Sequence, residues 1–249
     1  HYPSVDAVME MAKVTDRRLY EKTPHPFDFL TYRRGTGKII PSFKVDYKKS
    51  ELTEYNEAIS EQVTELVAHY QYLENLPITN DLLSAPTGYI GSRRTVIEQV
   101  QQAIIQLATF HSYHDVQFVP VFREEELPLW KWSRWLPHMK LQQFNCRSFV
   151  YHQRSRDQLL TSLYQMIKER KQAAEQAGSN KQLTFTPHYV FVITDLSLML
   201  DHNIMEFINE DLSHLGISYL FVEDVIESLP EHVNTVVDFK GNRQGTLRL

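Results

Sequence analysis

TGYIG, SRRTVIEQVQQAIIQLATFHSYHD and VQFVPVF together make up residues 87–122, the stretch that decides the fold. The first and last pieces are short apolar runs, which is typical of buried strands. Between them, apolar residues recur at a spacing near 3.6, which predicts an amphipathic helix. These residues are Ile97, Val100, Ile104, Ile105, Leu107 and Ala108. A strand, a helix and a strand with short joints form a βαβ unit, in which the two strands lie parallel.

The composition of the 249 residues is that of an ordinary globular protein, with 42% hydrophobic and 23% charged residues. The net charge of −5 gives no electrostatic reason to expect nucleic acid as a partner. The only cysteine, Cys146, excludes an internal disulfide, and the eleven histidines show no metal-ligand spacing, so no metal site is predicted. The sequence contains neither a membrane-spanning apolar run nor a signal peptide. Because the chain starts at His1, we expect a domain cut from a longer protein.

Three elements are predicted in residues 1–76, as an extension that packs on the core. They are a helix capped by Ser4, a β-hairpin and a long helix with an apolar stripe. The hairpin turn would be RGTGK at 34–38, because glycine tolerates the positive φ that tight turns need. The elements are expected at residues 4–24, at 27–33 with 39–45, and at 51–74.

Residues 77–249 are predicted to form the core, and both parts are expected to make one compact structural unit. Strands alternate with helices here, which predicts an α/β fold with a mostly parallel sheet, helices on both faces and a terminal hairpin at one edge. Strands are predicted at 77–83, 87–91, 116–122, 147–152, 188–194, 217–222 and 233–239, and after a turn at 241–245. Further helices are predicted at 155–178 and 203–214.

A P-loop ATPase needs the sequence Gly-x-x-x-x-Gly-Lys-Ser/Thr between a strand and a helix, because backbone N–H groups and the lysine hold the phosphates. This chain matches that pattern only at Gly88 and Thr95. Arg93 stands in place of the second glycine, and Arg94 in place of the lysine. The joint that the sequence offers is Gly91-Ser92, which is several residues too short to surround phosphates.

Two arginines in the first turn of a helix oppose the helix dipole, and a bound anion would remove that penalty. Solvent or nearby carboxylates would remove it too. A second feature of such ATPases is an apolar strand that ends in an Asp for Mg²⁺, usually followed by another acidic residue. Asp195 ends such a strand here, but Leu196 follows it in place of the second acid. An Asp at that position is also a common helix cap. The candidate nucleotide or anion site therefore comprises Gly91, Ser92, Arg93, Arg94, Thr95 and Asp195.

Three tryptophans, Trp130, Trp132 and Trp135, lie within six residues and precede His138. Exposed tryptophans are costly, so we predict a lid packed on the sheet with at least two of these rings mostly buried. Loss of Trp135 would then lower the melting temperature by many degrees. The alternative is a surface that binds a partner. His138 follows Pro137 and is interpreted as a turn residue, since no nucleophile lies beside it in the sequence.

Several motifs resemble the membrane-proximal domain of the type VII secretion ATPases, the FtsK/SpoIIIE-like proteins called EccC and EssC. The start of that domain is similar to DRRLYEK, FDFL and RRGTG at residues 16–22, 27–30 and 33–37. Its central signature is similar to QLATFHS and WSRWLPH at 106–112 and 132–138. The likeness covers residues 16–249, and HSYHD and EEE are more similar to the Firmicute EssC branch.

This resemblance implies a RecA/FtsK-like P-loop NTPase fold within a parent protein that uses ATP and Mg²⁺. It implies a place on the cytoplasmic side of the bacterial cell membrane, in a membrane-anchored protein that exports WXG-type proteins. The implied partners are the other ATPase domains of the same chain and other subunits of the secretion complex. Nucleic acid is not expected, and the membrane is reached only through the parent's transmembrane helices.

Two functions stay open for this segment. The first is a nucleotide-independent structural or coupling domain, which needs no cofactor and does not hydrolyse ATP. The second is an ATPase domain that binds nucleotide through a non-standard loop. An FtsK-like DNA translocase domain is a third possibility, which the acidic balance disfavours. The short joint after Gly91 favours the first function.

Overall fold

The computed structural model describes residues 2–25, 27–41, 57–178, 183–239 and 245–248. Contacts divide the chain into two compact units. The smaller unit comprises His1–Ser4 and Arg33–Asn80, and the larger comprises Val5–Tyr32 and Asp81–Leu249. The division into 1–76 and 77–249 stays a prediction.

The helices and strands have the following bounds. The α-helices are α1 Val5–Lys13, α2 Glu57–His69, α3 Arg93–Phe110, α4 Leu127–Trp130 and α5 Gln153–Ala177. The first strands are β1 Thr31–Ile39, β2 Leu73–Asp81, β3 Thr87–Gly91, β4 Val116–Val121, β5 Lys140–Leu141 and β6 Cys146–Arg147. The remaining strands are β7 His188–Ile193, β8 Ile217–Glu223, β9 Thr235–Phe239 and β10 Gly245–Arg248.

The larger unit is built on a six-stranded sheet in the order β10-β9-β3-β8-β7-β4. Neighbouring strands from β9 to β4 are parallel, whereas β10 pairs antiparallel with β9 at the edge. The predicted parallel sheet with a terminal hairpin at one edge is therefore confirmed. The βαβ unit at residues 87–122 is also confirmed, as β3, α3 and β4.

Both faces of this sheet are buried under separate apolar clusters. Successive side chains of β7 alternate between the faces, as the period of a strand requires. Val190 and Val192 face the cluster that contains α3, whereas Tyr189 and Phe191 face the cluster that contains α5. Helices therefore cover the sheet on both sides, as predicted, and this burial explains why the strands are almost continuously apolar.

The hairpin prediction for residues 34–38 is wrong, because these residues lie inside β1, which pairs with β2. Neither Gly35 nor Gly37 has a positive φ. Instead, the missing side chain of Gly37 leaves room for Ile78, which a Cβ would approach to 3.0 Å. Residues 42–45 of the predicted second strand lie outside the described residues.

The helices expected at the N-terminal end are shorter than predicted. The first helix ends at Lys13 rather than near residue 24, because Thr15 adopts a positive φ of 52°. The predicted helix at 51–74 is α2, which ends at His69, and the chain enters β2 at Leu73. Residues 51–56 lie outside the described part of the chain.

The helix predicted at 203–214 and the strand predicted at 147–152 are also wrong. The first region consists of two separate 3₁₀ turns, Asn203–Phe207 and Ser213–Leu215. Polar side chains stabilise these turns locally, since His202 accepts a hydrogen bond from the Ile204 N–H. In the second region β6 ends at Arg147, and the rest of the predicted strand is reduced to an isolated parallel bridge between Val150 and Val121 of β4.

Gly91 ends β3 with a φ of +138°, a region that residues with side chains avoid. A Cβ at this position would lie 2.8 Å from the Phe239 carbonyl oxygen of β9. We expect Gly91→Ala to lower the free energy of unfolding by about 2 to 4 kcal/mol, through strain and this collision. Urea unfolding measures the loss. Gly35→Ala is the control, because a Cβ at Gly35 meets nothing within 4 Å; equal effects would contradict the prediction.

Candidate functional site

The carboxyl ends of the parallel strands meet at one edge of the sheet, which is where α/β proteins bind their ligands. An ion pair occupies this edge. The Arg93 Nε, just after β3, donates to the Glu126 Oε1, after β4, at 2.6 Å. The hydroxyl of Thr194, after β7, lies 3.2 Å from the other oxygen of Glu126. The two charged side chains are only 22% and 11% exposed, so the ion pair is largely shielded from solvent.

The joint between β3 and α3 consists of a single residue, Ser92. Its hydroxyl donates to the Thr95 Oγ1 at 2.8 Å rather than capping a backbone N–H of the helix. Arg94 points away from the sheet edge, because its side chain is 89% exposed and pairs with Glu98 one turn along α3. The first turn of α3 therefore brings one arginine to the edge and leaves the other in solvent.

Asp195 caps the short turn that follows β7. One of its carboxylate oxygens accepts hydrogen bonds from the Ser197 N–H at 3.1 Å and from the Ser197 hydroxyl at 2.6 Å. Its other oxygen lies 3.8 Å from the Arg123 Nε. Of the two interpretations of Asp195, the structure therefore shows the cap.

Glu223 at the end of β8 completes the charged edge. Burial raises the pKa of the Glu223 carboxyl group, and the nearby Arg93 guanidinium opposes that rise. The edge thus carries several carboxylates beside Arg93 and Arg123. The described residues contain no group of three or more His, Cys, Asp or Glu side chains that could hold a metal ion.

Sequence reasoning found part of this cluster. Gly91, Ser92, Arg93 and Asp195 lie at the edge, whereas Arg94 is in solvent and Thr95 is held by Ser92. The sequence reasoning missed Glu126, Thr194, Arg123 and Glu223. Their positions in the sequence could have identified them, because each of these residues ends or closely follows a strand whose carboxyl end reaches this edge.

The tryptophan segment continues from this edge through α4 into two 3₁₀ turns, Lys131–Trp135 and Pro137–Met139. Trp130 is fully buried and stacks on Phe122, with ring centroids 5.3 Å apart. Trp132 is half-buried against the same cluster. Trp135, by contrast, is 81% exposed. The segment is therefore packed on the body through two rings, and the prediction that Trp135 supports the fold is wrong.

His138 lies in a turn, as predicted, but it is buried. Its Nε2 donates to the His111 carbonyl oxygen at 2.8 Å. The His111 ring in turn accepts the Leu30 N–H at Nε2 and donates from Nδ1 to the Leu107 carbonyl. Burial lowers the pKa of both imidazoles to about 4, so both are neutral at pH 7. These contacts indicate structural histidines that tie α3 to the segments packed on it.

No protein-family model matches the chain. Over 248 residues it is 50% identical to the type VII secretion system protein EssC of Staphylococcus aureus strain NCTC 8325. The match covers 99% of this chain and 17% of EssC. The chain is homologous to one part of EssC. The ESX secretion system protein EccC of Geobacillus thermodenitrificans is 34% identical over 248 residues, 99% of this chain and 16% of EccC.

The structural comparison shows the fold of this EssC homologue. EssC (ATPases 2 and 3) from Geobacillus thermodenitrificans superposes with a TM-score of 0.53 and 12% identity, over 89% of this chain and 39% of that one. The cytoplasmic domain of the Thermomonospora curvata type VII secretion ATPase EccC superposes with a TM-score of 0.52 and 12% identity, over 90% of this chain and 25% of that one. The resemblance to EssC and EccC and the RecA-like α/β fold are confirmed. No helix in the described part of the chain is long and apolar enough to cross a bilayer.

The two ends of the tryptophan segment should differ sharply in their contribution to the stability of this EssC homologue. Trp130→Ala leaves a cavity in the core, so we expect the free energy of unfolding to fall by about 3 to 5 kcal/mol. Trp135→Ala removes an exposed ring and should change it by less than about 0.5 kcal/mol. Urea unfolding followed by circular dichroism measures both. A large loss in Trp135→Ala would show that its ring is packed.

The buried histidines predict acid sensitivity. His188, whose Nε2 bonds the Ser218 hydroxyl, joins His111 and His138, and burial lowers its pKa to about 3. Below pH 6.5, which is near the pKa of histidine in the unfolded chain, these histidines are protonated in the unfolded chain but stay neutral in the folded chain. The free energy of unfolding should therefore fall as the pH drops from 6.5 to 5, with a slope that approaches about 1.4 kcal/mol per pH unit for each histidine.

Urea unfolding at several pH values between 7 and 5 measures this slope. His138→Gln should reduce the slope by about one proton. His114→Gln is the control, because His114 is exposed and should leave the slope unchanged. A wild-type stability that stays flat over this range would contradict the prediction.

Proposed function

We propose that this chain is a nucleotide-independent coupling domain of a type VII protein secretion motor. It would lie on the cytoplasmic side of the bacterial cell membrane, within a longer membrane-anchored protein that exports WXG-type proteins. Its partners would be the other ATPase domains of the same chain and other subunits of the complex. The homology to about one sixth of EssC and EccC supports a module of such a chain.

The ion pair between Arg93 and Glu126 is the observation that carries the proposal. It lies at the carboxyl edge of the sheet, where a RecA-like ATPase would hold the phosphates. An incoming phosphate would have to displace the Glu126 carboxylate from Arg93, or lie beside it against charge repulsion. The protein's own carboxylate thus already pairs with the arginine that a ligand anion would need.

The backbone at this edge supports the same conclusion. A phosphate loop presents several successive N–H groups, whereas only Ser92 separates β3 from α3. Arg94 does not replace the P-loop lysine, because its guanidinium is a wide planar fork and its side chain extends into solvent. Asp195, the candidate Mg²⁺ ligand, already accepts two hydrogen bonds from Ser197. The proposed domain therefore needs neither ATP nor Mg²⁺, which would serve the rest of the parent protein.

Calorimetric titration with Mg-ATP, beside a phosphate-release assay, tests the proposal. Without the P-loop lysine and most of the phosphate loop, the Kd for Mg-ATP should rise from the micromolar toward the millimolar range. We therefore expect no saturable heat in the micromolar range and no ATP turnover. Asp195→Asn is the matched variant, since its amide oxygen still accepts the Ser197 N–H while the charge is lost. Micromolar binding that Asp195→Asn weakens would overturn the proposal and favour an ATPase domain with a non-standard loop.

The same titration with pyrophosphate tests the ion pair itself. In Glu126→Gln, Arg93 loses its charged partner, so weak millimolar binding should appear that the wild type lacks. Glu125→Gln is the control, because Glu125 is exposed and makes no ion pair among the described residues. If Glu126→Gln binds no better than Glu125→Gln, the ion pair is not what keeps anions out.

A further inference from the structure

The charges of this acidic chain are unevenly distributed. Residues 127–156 include six Lys or Arg and no Asp or Glu, although the chain has 31 acidic and 26 basic residues in all. Five of these cations are exposed, namely Lys131, Arg134, Lys140, Arg147 and Arg154. The tryptophan segment and the strands that follow it therefore form a local positive surface.

Three of these cations are connected to the exposed Trp135 through a chain of contacts. Lys140 and Arg147 are directly opposite each other on the antiparallel strands β5 and β6. The Arg147 guanidinium donates to the Arg134 carbonyl oxygen, and the Arg134 guanidinium lies 5.7 Å from the centre of the Trp135 ring. We call Arg134, Trp135, Lys140 and Arg147 the Trp135 patch.

The Trp135 patch is unfavourable for an isolated domain. Like charges directly opposite each other on paired strands repel, and a large exposed indole ring stays in water at a cost. Within the described residues, none of the three cations has a carboxylate within ion-pair distance, whereas Arg93, Arg156 and Lys171 elsewhere are paired. A partner that brings carboxylates and an apolar contact would remove both penalties at once.

We propose that the Trp135 patch binds an acidic segment of a partner protein, whose carboxylates pair with the three cations while an apolar side chain packs on the Trp135 ring. Tryptophan and arginine are the residues that most often dominate the energy of protein interfaces. The guanidinium groups of Arg134 and Arg147 suit carboxylates because both can make two parallel hydrogen bonds. This proposal rests on the proposed coupling role, because the patch would be one surface through which the domain contacts a partner. Binding at the patch involves no nucleotide.

The structure favours a protein over a membrane or a nucleic acid at this patch. Membrane-surface binding needs a broad apolar face, usually on an amphipathic helix. Here one indole ring stands on a 3₁₀ turn beside two-residue strands. A nucleic acid would need an extended basic footprint, whereas this chain has a net charge of −5 and carries the exposed Glu124 and Glu125 ahead of the segment.

Trp135 itself can report binding, because Trp130 is fully buried, Trp132 is half-buried and Trp135 is the most exposed of the three tryptophans. The probe is a short synthetic peptide in which glutamates flank a leucine. We expect its addition to shift the emission to shorter wavelengths, with a Kd on the order of 100 μM at low salt that weakens as salt is added. Trp135→Phe should remove the shift.

Charge reversal identifies the patch as the binding site. Arg134→Glu and Arg147→Glu should each weaken peptide binding by about tenfold, whereas Lys168→Glu, an exposed cation on α5, should leave it unchanged. Circular dichroism confirms that each variant is folded. Parallel titrations use vesicles of phosphatidylglycerol with phosphatidylcholine, and a DNA duplex.

Three results would overturn the proposal. They are no shift with the peptide, a shift that the charge reversals do not weaken, and a stronger shift with vesicles or DNA than with the peptide. None of them bears on whether the domain binds ATP, so failure of this proposal is distinguishable from failure of the nucleotide-independent role.

Discussion

Burial of the parallel sheet on both faces is the constraint on which the rest of the structure depends. Strands β3, β4, β7 and β8 are paired through their backbones and apolar on both sides, so each face has to be covered by another layer. Helix α3 covers one face and α5 covers the other. The lid of Trp130 and Trp132 extends the first layer, and the 3₁₀ turns between β7 and β8 extend the second.

The same constraint creates the charged edge. Parallel strands with helical crossovers all end on one side, so polar residues that are far apart in the sequence converge there. In a nucleotide-binding relative of this fold, that convergence would produce a phosphate site. In this chain the Arg93 guanidinium meets the Glu126 carboxylate and the Thr194 hydroxyl, and Asp195 caps a turn. The Arg93 Nε and both Glu126 oxygens are paired in this way, whereas the buried Arg93 Nη2 has no hydrogen-bond partner.

The tryptophan segment shows how far burial can differ between similar neighbours. Trp130 and Trp135 are five residues apart, yet one is fully buried and the other is 81% exposed. Trp130 ends α4, whereas Trp135 ends the 3₁₀ turn that follows. Glu124, Glu125 and Glu126 repeat the pattern, since the first two face solvent while the third points into the sheet edge. Residues that are alike in sequence thus serve different purposes in the structure.

The amino-acid sequence by itself determined the elements with long regular patterns. It predicted α3, the long α5 and the parallel strands correctly, because periodicity and two-sided burial are local properties that a pattern of apolar residues expresses directly. Only the tertiary structure decided the partner of β1, the irregular path after β7, the exposure of Trp135 and the position of Glu126. Each of these depends on contacts with residues distant along the chain, such as β2 for β1 and Arg93 for Glu126. No local pattern carries that information, because several alternatives of similar local energy differ only in what packs against them.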